Sequence, residues 1–303
     1  MQEHRADVTF RRDSIGGGVS DQWRSNDAAA LTPRQRFVIL VHGFNNSESA
    51  ARASYNLFVS HLMHCAQPLA QDVVDIYWPG DWWIRPLSAL TYPWQIEHVR
   101  DTAPLLARWL SRRRAPDGGP CELILIAHSL GCRLVLEALR ELSTLAAHDS
   151  SADHSLAQEI PMKIRLVHLA AAVPVDFVQH GGRLRPAVDM TSATAVFYSR
   201  ADKVLARDFR IGSSFSWTDD GVWWPEAVGL NGLPLDDLWA ERNPQRGFAH
   251  SDCWRSATLV SEIARWLGSS APLPIAARGE IPKRELPRRQ DPPARRIDPQ
   301  LSV

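Results

Sequence analysis

Glu122-Leu123-Ile124-Leu125-Ile126-Ala127-His128-Ser129-Leu130-Gly131 begins as an unbroken apolar run and stops abruptly at a serine. The run is too short for an ordinary helix and rich in Leu and Ile, so it predicts a strand buried on both faces. Beyond the serine, Val135, Ala138, Leu139 and Leu142 recur at helical spacing. The chain therefore passes from strand to helix through one tight turn, which lifts Ser129 out of the sheet.

A strand, a sharp turn bearing serine and a helix form the setting of a nucleophile elbow, G-x-S-x-G, present here as A-H-S-L-G. The positions two before and two after the serine must be small, because strand and helix backbones approach closely at the turn. Gly131 meets that need fully and Ala127 less so. Leu130 would offer its backbone N–H to an oxyanion, and the N-terminus of the following helix adds a favourable dipole. The simpler reading makes Ser129 a helix N-cap, so the choice depends on whether the chain supplies a base and an acid.

A serine hydroxyl is a poor nucleophile near neutral pH; it needs a base within hydrogen-bond reach and a carboxylate to orient that base. The chain order expected behind such an elbow is serine, acid, histidine. Asp202, in Ala201-Asp202-Lys203, follows the predicted strand Ala195–Arg200 and so stands where open α/β sheets place their ligands. Asp176, after the preceding strand, is the competing acid. Beyond Asp202 the only histidine is His250, in Gly247-Phe248-Ala249-His250. His128 reads as structural, because neighbours on a tight turn point in different directions. The second oxyanion N–H is expected from the loop after the apolar strand Phe37–Val41, at Phe44, directly behind His42-Gly43. Asn45 and Asn46 either support that loop or are turn and cap residues.

Further strands are predicted at Val73–Trp78 and Ile164–Ala170, and helices carry Ala53, Leu57, Phe58 and Leu62, then Val99, Ala103, Leu106 and Leu110. Pro104 places the start of the second of these helices near Thr102, or kinks it. Leu235–Trp239 is a candidate short strand, and a last helix carries Val260, Ile263, Ala264 and Leu267. Strands alternating with helices imply an α/β fold with a mainly parallel central sheet and helices on both faces. Residues 1–34 are expected to be an N-terminal arm with one short strand possible at Val8–Phe10, residues 35–268 the folded domain, and residues 269–303 a disordered Pro/Arg-rich tail.

A formal net charge of zero provides no global field for nucleic acid or an anionic membrane. No apolar run reaches membrane-spanning length, and the N-terminus lacks the apolar core of a secretory signal. Cys65, Cys121, Cys132 and Cys253 are far apart, without metal-site or disulfide-framework spacing, so a cytoplasmic protein with no metal or cofactor is expected. Twelve tryptophans are many for this length, and several fall in loops expected at the catalytic edge of the sheet. His42, Trp78, Trp82, Trp83, Trp223 and Trp224 are the candidate pocket residues, with Trp94, Trp217 and Trp239 in the same loops; the alternative is that these aromatics pack loops onto the body.

V-H-G-F-N-N-S from Val41, the W-P turn at Trp78, H-S-L-G from His128, Y-S-x-x-D from Tyr198 and Ala249-His250-Ser251 together resemble the α/β-hydrolase superfamily, and within it a bacterial group of uncharacterised members. The resemblance spans roughly residues 36–268 and implies an α/β-hydrolase fold with Ser129, Asp202 and His250 as catalytic triad. The expected activity is that of a serine hydrolase, a carboxylesterase or lipase-like enzyme acting on a small-molecule ester with an apolar portion. A thioesterase or amidase would use the same residues. A non-catalytic binding protein on the same fold is the alternative from another class.

Overall fold

The structure is a computed structural model and describes residues 5–12, 18–25, 30–81, 92–152, 162–215, 222–232, 234–235 and 239–268. The strands are β1 (Ala6–Arg11), β2 (Val19–Arg24), β3 (Arg36–Val41), β4 (Val73–Tyr77), β5 (Cys121–His128), β6 (Met162–Leu169), β7 (Ala193–Tyr198) and β8 (Glu241–Pro244). The helices are α1 (Glu48–Cys65), α2 (Gln67–Gln71), α3 (Tyr92–Ser111), α4 (Leu130–Ala152), α5 (Val175–Val178), α6 (Arg185–Asp189), α7 (Phe209–Phe215), α8 (Val228–Asn231) and α9 (Ala257–Gly268).

One sheet holds all eight strands in the order β2-β1-β4-β3-β5-β6-β7-β8. Every pair is parallel except β1 with β2. Phe37 to Val41 of β3 are all fully buried, which requires cover on both faces of the sheet. The strand order supplies it. From β3 the chain crosses through α1 to β4 on one side, whereas from β5 it crosses through α4 to β6 on the other. Right-handed crossovers running in opposite directions put their helices on opposite faces. They also open a crevice at the carboxyl ends of β3 and β5, the place where ligands bind in such sheets.

Three expectations are corrected. Of the expected N-terminal arm, the described residues 6–11 and 19–24 belong to the sheet: β1, which contains the short strand allowed at Val8–Phe10, pairs in register with β4, with Val8 and Phe10 fully buried, and β2 forms the edge beside it. The polar residues that disguised β1 are paired rather than solvated, Asp7 with Arg52 and Arg11 with Asp81. Helix α3 starts at Tyr92, well before Thr102, and carries Pro104 in its interior; its buried face of Ile96, Val99, Ala103, Leu106 and Leu110 outweighs the one backbone hydrogen bond that proline cannot make. The last strand is Glu241–Pro244 rather than Leu235–Trp239, of which residues 236–238 lie outside the described residues. Its sequence, Glu-Arg-Asn-Pro, has no apolar signal because it is a sheet edge with one neighbour. The expected tail, 269–303, also lies outside the described residues.

Candidate active site

Ser129 follows β5 directly and opens α4, with a backbone φ of 53°. A non-glycine residue in the left-handed region is costly, on the order of 1–2 kcal/mol, and is kept where its surroundings impose it. Those surroundings are visible on both sides of the serine: its N–H donates to the Leu169 carbonyl at 2.9 Å, and its carbonyl accepts from Ala172 N–H at 3.1 Å. The turn also explains the small neighbours. A Cβ on Gly131 would lie 2.3 Å from the His42 carbonyl oxygen and 2.8 Å from that of Val41, and one on Gly43 would lie 2.6 Å from Ser129 Cβ. Ala127 is fully buried and its methyl is accommodated, so the departure from glycine two residues before the serine is tolerated.

His250 reaches the serine from the loop before α9. Ser129 Oγ and His250 Nε2 are 2.8 Å apart, and His250 Nδ1–H donates to Asp202 Oδ2 at 2.7 Å. A carboxylate can only accept, so Nδ1 carries the proton and Nε2 is left to accept from the serine hydroxyl. Asp202 is buried, and its other oxygen accepts Leu205 N–H at 3.0 Å. The acid and histidine loops are joined by Ser199, whose Oγ–H donates to the Phe248 carbonyl at 2.7 Å. Asp176, the competing acid, is exposed on α5 and accepts from Gln179. Asp252 accepts Ala249 N–H, which shapes the histidine loop, and burial pushes the Cys253 thiol up to about 12, leaving it unreactive.

Phe44 and Leu130 both line the cavity that contains Ser129. Among the described residues neither backbone N–H is given to another backbone group. The Phe44 loop is held from several sides. His42 Nδ1–H donates to the Gly43 carbonyl at 2.9 Å, its Nε2 accepts Trp78 N–H at 3.3 Å, and Trp78 Nε1–H donates to the His42 carbonyl at 2.8 Å. The two rings stack with centroids 5.6 Å apart. Burial lowers the His42 pKa to about 4, so the ring is neutral near pH 7, as an acceptor at Nε2 requires. Asn46 Nδ2–H supports the loop through the Gly43 and Phe44 carbonyls. Asn45 takes φ 60° and donates its N–H to Gly80. Both asparagines therefore act on this loop.

The cavity measures about 310 Å³. Phe44, Tyr92, Phe209 and Trp254 give it aromatic walls, Leu130, Val204 and Leu205 aliphatic ones, and the exposed Asp208 and Arg255 stand at it as well. Tyr92 and Phe209 meet edge to face. This lining differs from the expected set. His42 and Trp78 are buried behind the Phe44 loop as its support, Trp223 and Trp224 are exposed and line no part of this cavity, and Trp82 and Trp83 lie outside the described residues. Among the other tryptophans of these loops, Trp94 is exposed on α3, Trp239 is buried against His168, and Trp217 lies outside the described residues. Trp254, four residues after His250, and Phe209, seven after Asp202, follow the predicted acid and base closely, and that nearness is the signal that would have found them.

His128 has a larger part than its place beside the serine suggested. Its Nε2–H donates to the His250 carbonyl at 2.8 Å and its ring lies 4.9 Å from the His250 ring. Burial first, then the neighbouring His250, lowers its pKa to about 3, so it is a neutral donor.

A family model, alpha/beta hydrolase of unknown function (DUF900), matches residues 20–216. The chain belongs to this α/β hydrolase family. The matched segment includes Ser129 and Asp202; β1 and His250 lie outside it. The family and the parallel sheet with its crossing helices identify the α/β-hydrolase fold. Among solved structures, the novel thermophilic esterase Est2 of the planctomycete Thermogutta terrifontis is similar over 78% of this chain and 80% of its own, with 13% identity and a TM-score of 0.34. No functionally curated protein sequence matches the chain. Among the described residues no helix is long and apolar enough to cross a membrane, and no cluster of His, Cys, Asp and Glu could hold a metal ion.

Proposed function

We propose that this protein is a serine hydrolase that cleaves a carboxylic ester through an acyl-enzyme on Ser129. The observation that carries the reading is the hydrogen-bonded sequence Ser129–His250–Asp202, assembled from three loops at one sheet edge with bond lengths of 2.8 and 2.7 Å. His250 Nε2 takes the serine proton as Oγ attacks the ester carbonyl carbon, and Asp202 stabilises the imidazolium that forms. The carbonyl oxygen becomes an oxyanion held by the N–H groups of Phe44 and Leu130. As the tetrahedral intermediate collapses, His250 returns the proton to the departing alcohol. Water then attacks the acyl-enzyme with the same histidine as base, releasing the acid and restoring the serine hydroxyl.

The aromatic and aliphatic walls favour an ester with an apolar acyl or alcohol portion. Cys65, Cys121, Cys132 and Cys253 are unpaired, which supports the cytoplasmic reading. The test is labelling of the purified protein by a fluorophosphonate together with hydrolysis of p-nitrophenyl esters of increasing acyl length. Ser129-dependent labelling and turnover, both abolished in Ser129→Ala, are expected. A folded protein with no Ser129-dependent labelling overturns the reading in favour of a binding protein on this fold.

A further inference from the structure

Arg11 is fully buried in β1, outside the segment the family model matches. Its guanidinium donates to the Trp78 carbonyl at 3.2 Å and to Asp81 Oδ1 at 2.6 Å, so it holds both ends of the turn that follows β4. That turn is the support of the loop bearing Phe44. Asn45 N–H donates to the Gly80 carbonyl at 2.5 Å, and a Cβ built on Gly80 would lie 3.1 Å from the Gly43 carbonyl oxygen, so the two loops are in close backbone contact.

The connection runs to one atom. The Gly43 carbonyl and the Phe44 N–H belong to the same planar peptide unit, so whatever orients the carbonyl orients the N–H on the opposite side. His42 Nδ1–H binds that carbonyl, the His42 ring is set by Trp78 N–H and by stacking on the indole, and the Trp78 carbonyl accepts from Arg11 and from Gly80 N–H, the residue that Asn45 N–H binds in turn. Only arginine offers donors in a rigid fork that can serve a carbonyl and a carboxylate at once; lysine has the charge without the fork.

We propose that Arg11 is a positioning residue for the oxyanion: by fixing the Trp78–Asp81 turn it sets, through Trp78 and His42, the direction of the Phe44 N–H. The N-terminal strand is then part of the machinery that stabilises the transition state, an inference that rests on the serine-hydrolase reading above. An N–H aimed at a developing oxyanion affects the transition state far more than the bound ester, so its misalignment appears in kcat rather than in KM.

The test compares Arg11→Lys, Asp81→Asn and Arg5→Lys. Arg5, at the start of the same strand segment, binds Asp75 and Asn56 and touches none of the Phe44 loop support, so its variant reports what loosening β1 does by itself. Arg11→Lys is expected to lower kcat for a p-nitrophenyl ester about tenfold with KM within about twofold, as loss of one oriented oxyanion donor does in part. Asp81→Asn should move kcat in the same direction, and Arg5→Lys should lower Tm while leaving kcat unchanged. In amide NMR spectra Arg11→Lys should shift the Phe44 resonance and Arg5→Lys should not, a readout that needs no substrate. Unchanged kcat and an unshifted Phe44 resonance in folded Arg11→Lys overturn the proposal. If Arg11→Lys does not fold, unchanged kcat in Asp81→Asn overturns it. Wild-type protein without Ser129-dependent turnover would instead remove the serine-hydrolase reading, and the Phe44 resonance would still decide whether Arg11 positions that peptide.

Discussion

His128 Nε2–H donates to the backbone carbonyl of His250 at 2.8 Å, so the residue beside the serine holds the main chain of the histidine that the serine bonds. Ser129 and His250 are thereby referenced to the same end of β5. The cost is a buried imidazole whose Nδ1 has no hydrogen-bond partner. Removing the donor frees the His250 loop and leaves its carbonyl without that bond. His128→Phe is expected to lower kcat about tenfold with a smaller change in KM, because a displacement of under an ångström at the base is enough to slow a proton transfer. His128→Gln, which can restore an N–H donor, should recover part of the loss. Steady-state kinetics on one ester with both variants checks this; equal losses would show that the ring's packing matters rather than its bond.

Asp202 and Asp176 are separated by environment. Asp202 is buried with one oxygen on His250 and the other on Leu205 N–H, whereas Asp176 is exposed. Asp202→Asn keeps the shape but favours the wrong His250 tautomer, and a loss of kcat on the order of 10⁴-fold is expected by analogy with that change in other triads. Asp176→Asn should leave kcat within about twofold, as for an exposed substitution away from the site. The reverse ranking would move the acid.

The left-handed backbone at Ser129 stores strain that two substitutions can read out. Glycine adopts φ 53° freely and alanine does not, so Ser129→Gly should be more stable than Ser129→Ala by about 1 kcal/mol in urea unfolding, with both inactive. Equal stabilities would show that the turn is unstrained. The same crowding makes Gly131→Ala severe: its Cβ would meet two backbone carbonyls of the β3 end, and a loss of about 3 kcal/mol or failure to fold is expected. Gly18→Ala, with nothing within 4 Å of the added atom, is the matched control.

Among the described residues three buried histidines are expected to make the fold acid-sensitive. Burial is the largest cause in each case: His42 is lowered to about 4, His128 to about 3 and His168 to about 3, against 6.5 for an ordinary histidine. The unfolded chain therefore takes up protons below pH 6.5 that the folded chain refuses. The stability these histidines contribute is full above pH 6.5 and is lost as pH falls from there toward 4, by about 1.4 kcal/mol per pH unit for each proton. His168 lines no part of the proposed site, and both its ring nitrogens lack hydrogen-bond partners, with Trp239 at its edge. His168→Met should reduce the slope of unfolding free energy against pH between pH 6 and 4 by about 1.4 kcal/mol per pH unit, the contribution of one such proton. An unchanged slope would show that His168 does not contribute.

Much of the core and the proposed site could be read locally. The strand at 121–128 is a continuous apolar run, the serine ends it at a turn flanked by small residues, and the order of acid and histidine leaves one candidate base. Elements at the margins could not be read in this way. β1 carries Asp7 and Arg11 inward, and a charged residue reads as solvated until its partner, some forty to seventy positions away, is known. β8 is an edge strand with no apolar face to betray it. The tryptophans were numerous and lay in the expected loops, yet composition cannot say which side of a loop faces a cavity; Trp78 turned inward to stack on His42, and Trp254 and Phe209 became the walls.

The sequence by itself determined which serine stands at the elbow, the alternation of strands and helices, and the short set of candidate partners, because buried strands, tight turns and helix faces are properties of neighbouring residues. Only the tertiary structure decided that His128 holds His250, that Arg11 ties Trp78 to Asp81 and which side chains line the cavity. Those relations join residues far apart in the chain, and their geometry exists only once the strands have been set in register and the loops at their ends brought within hydrogen-bond distance.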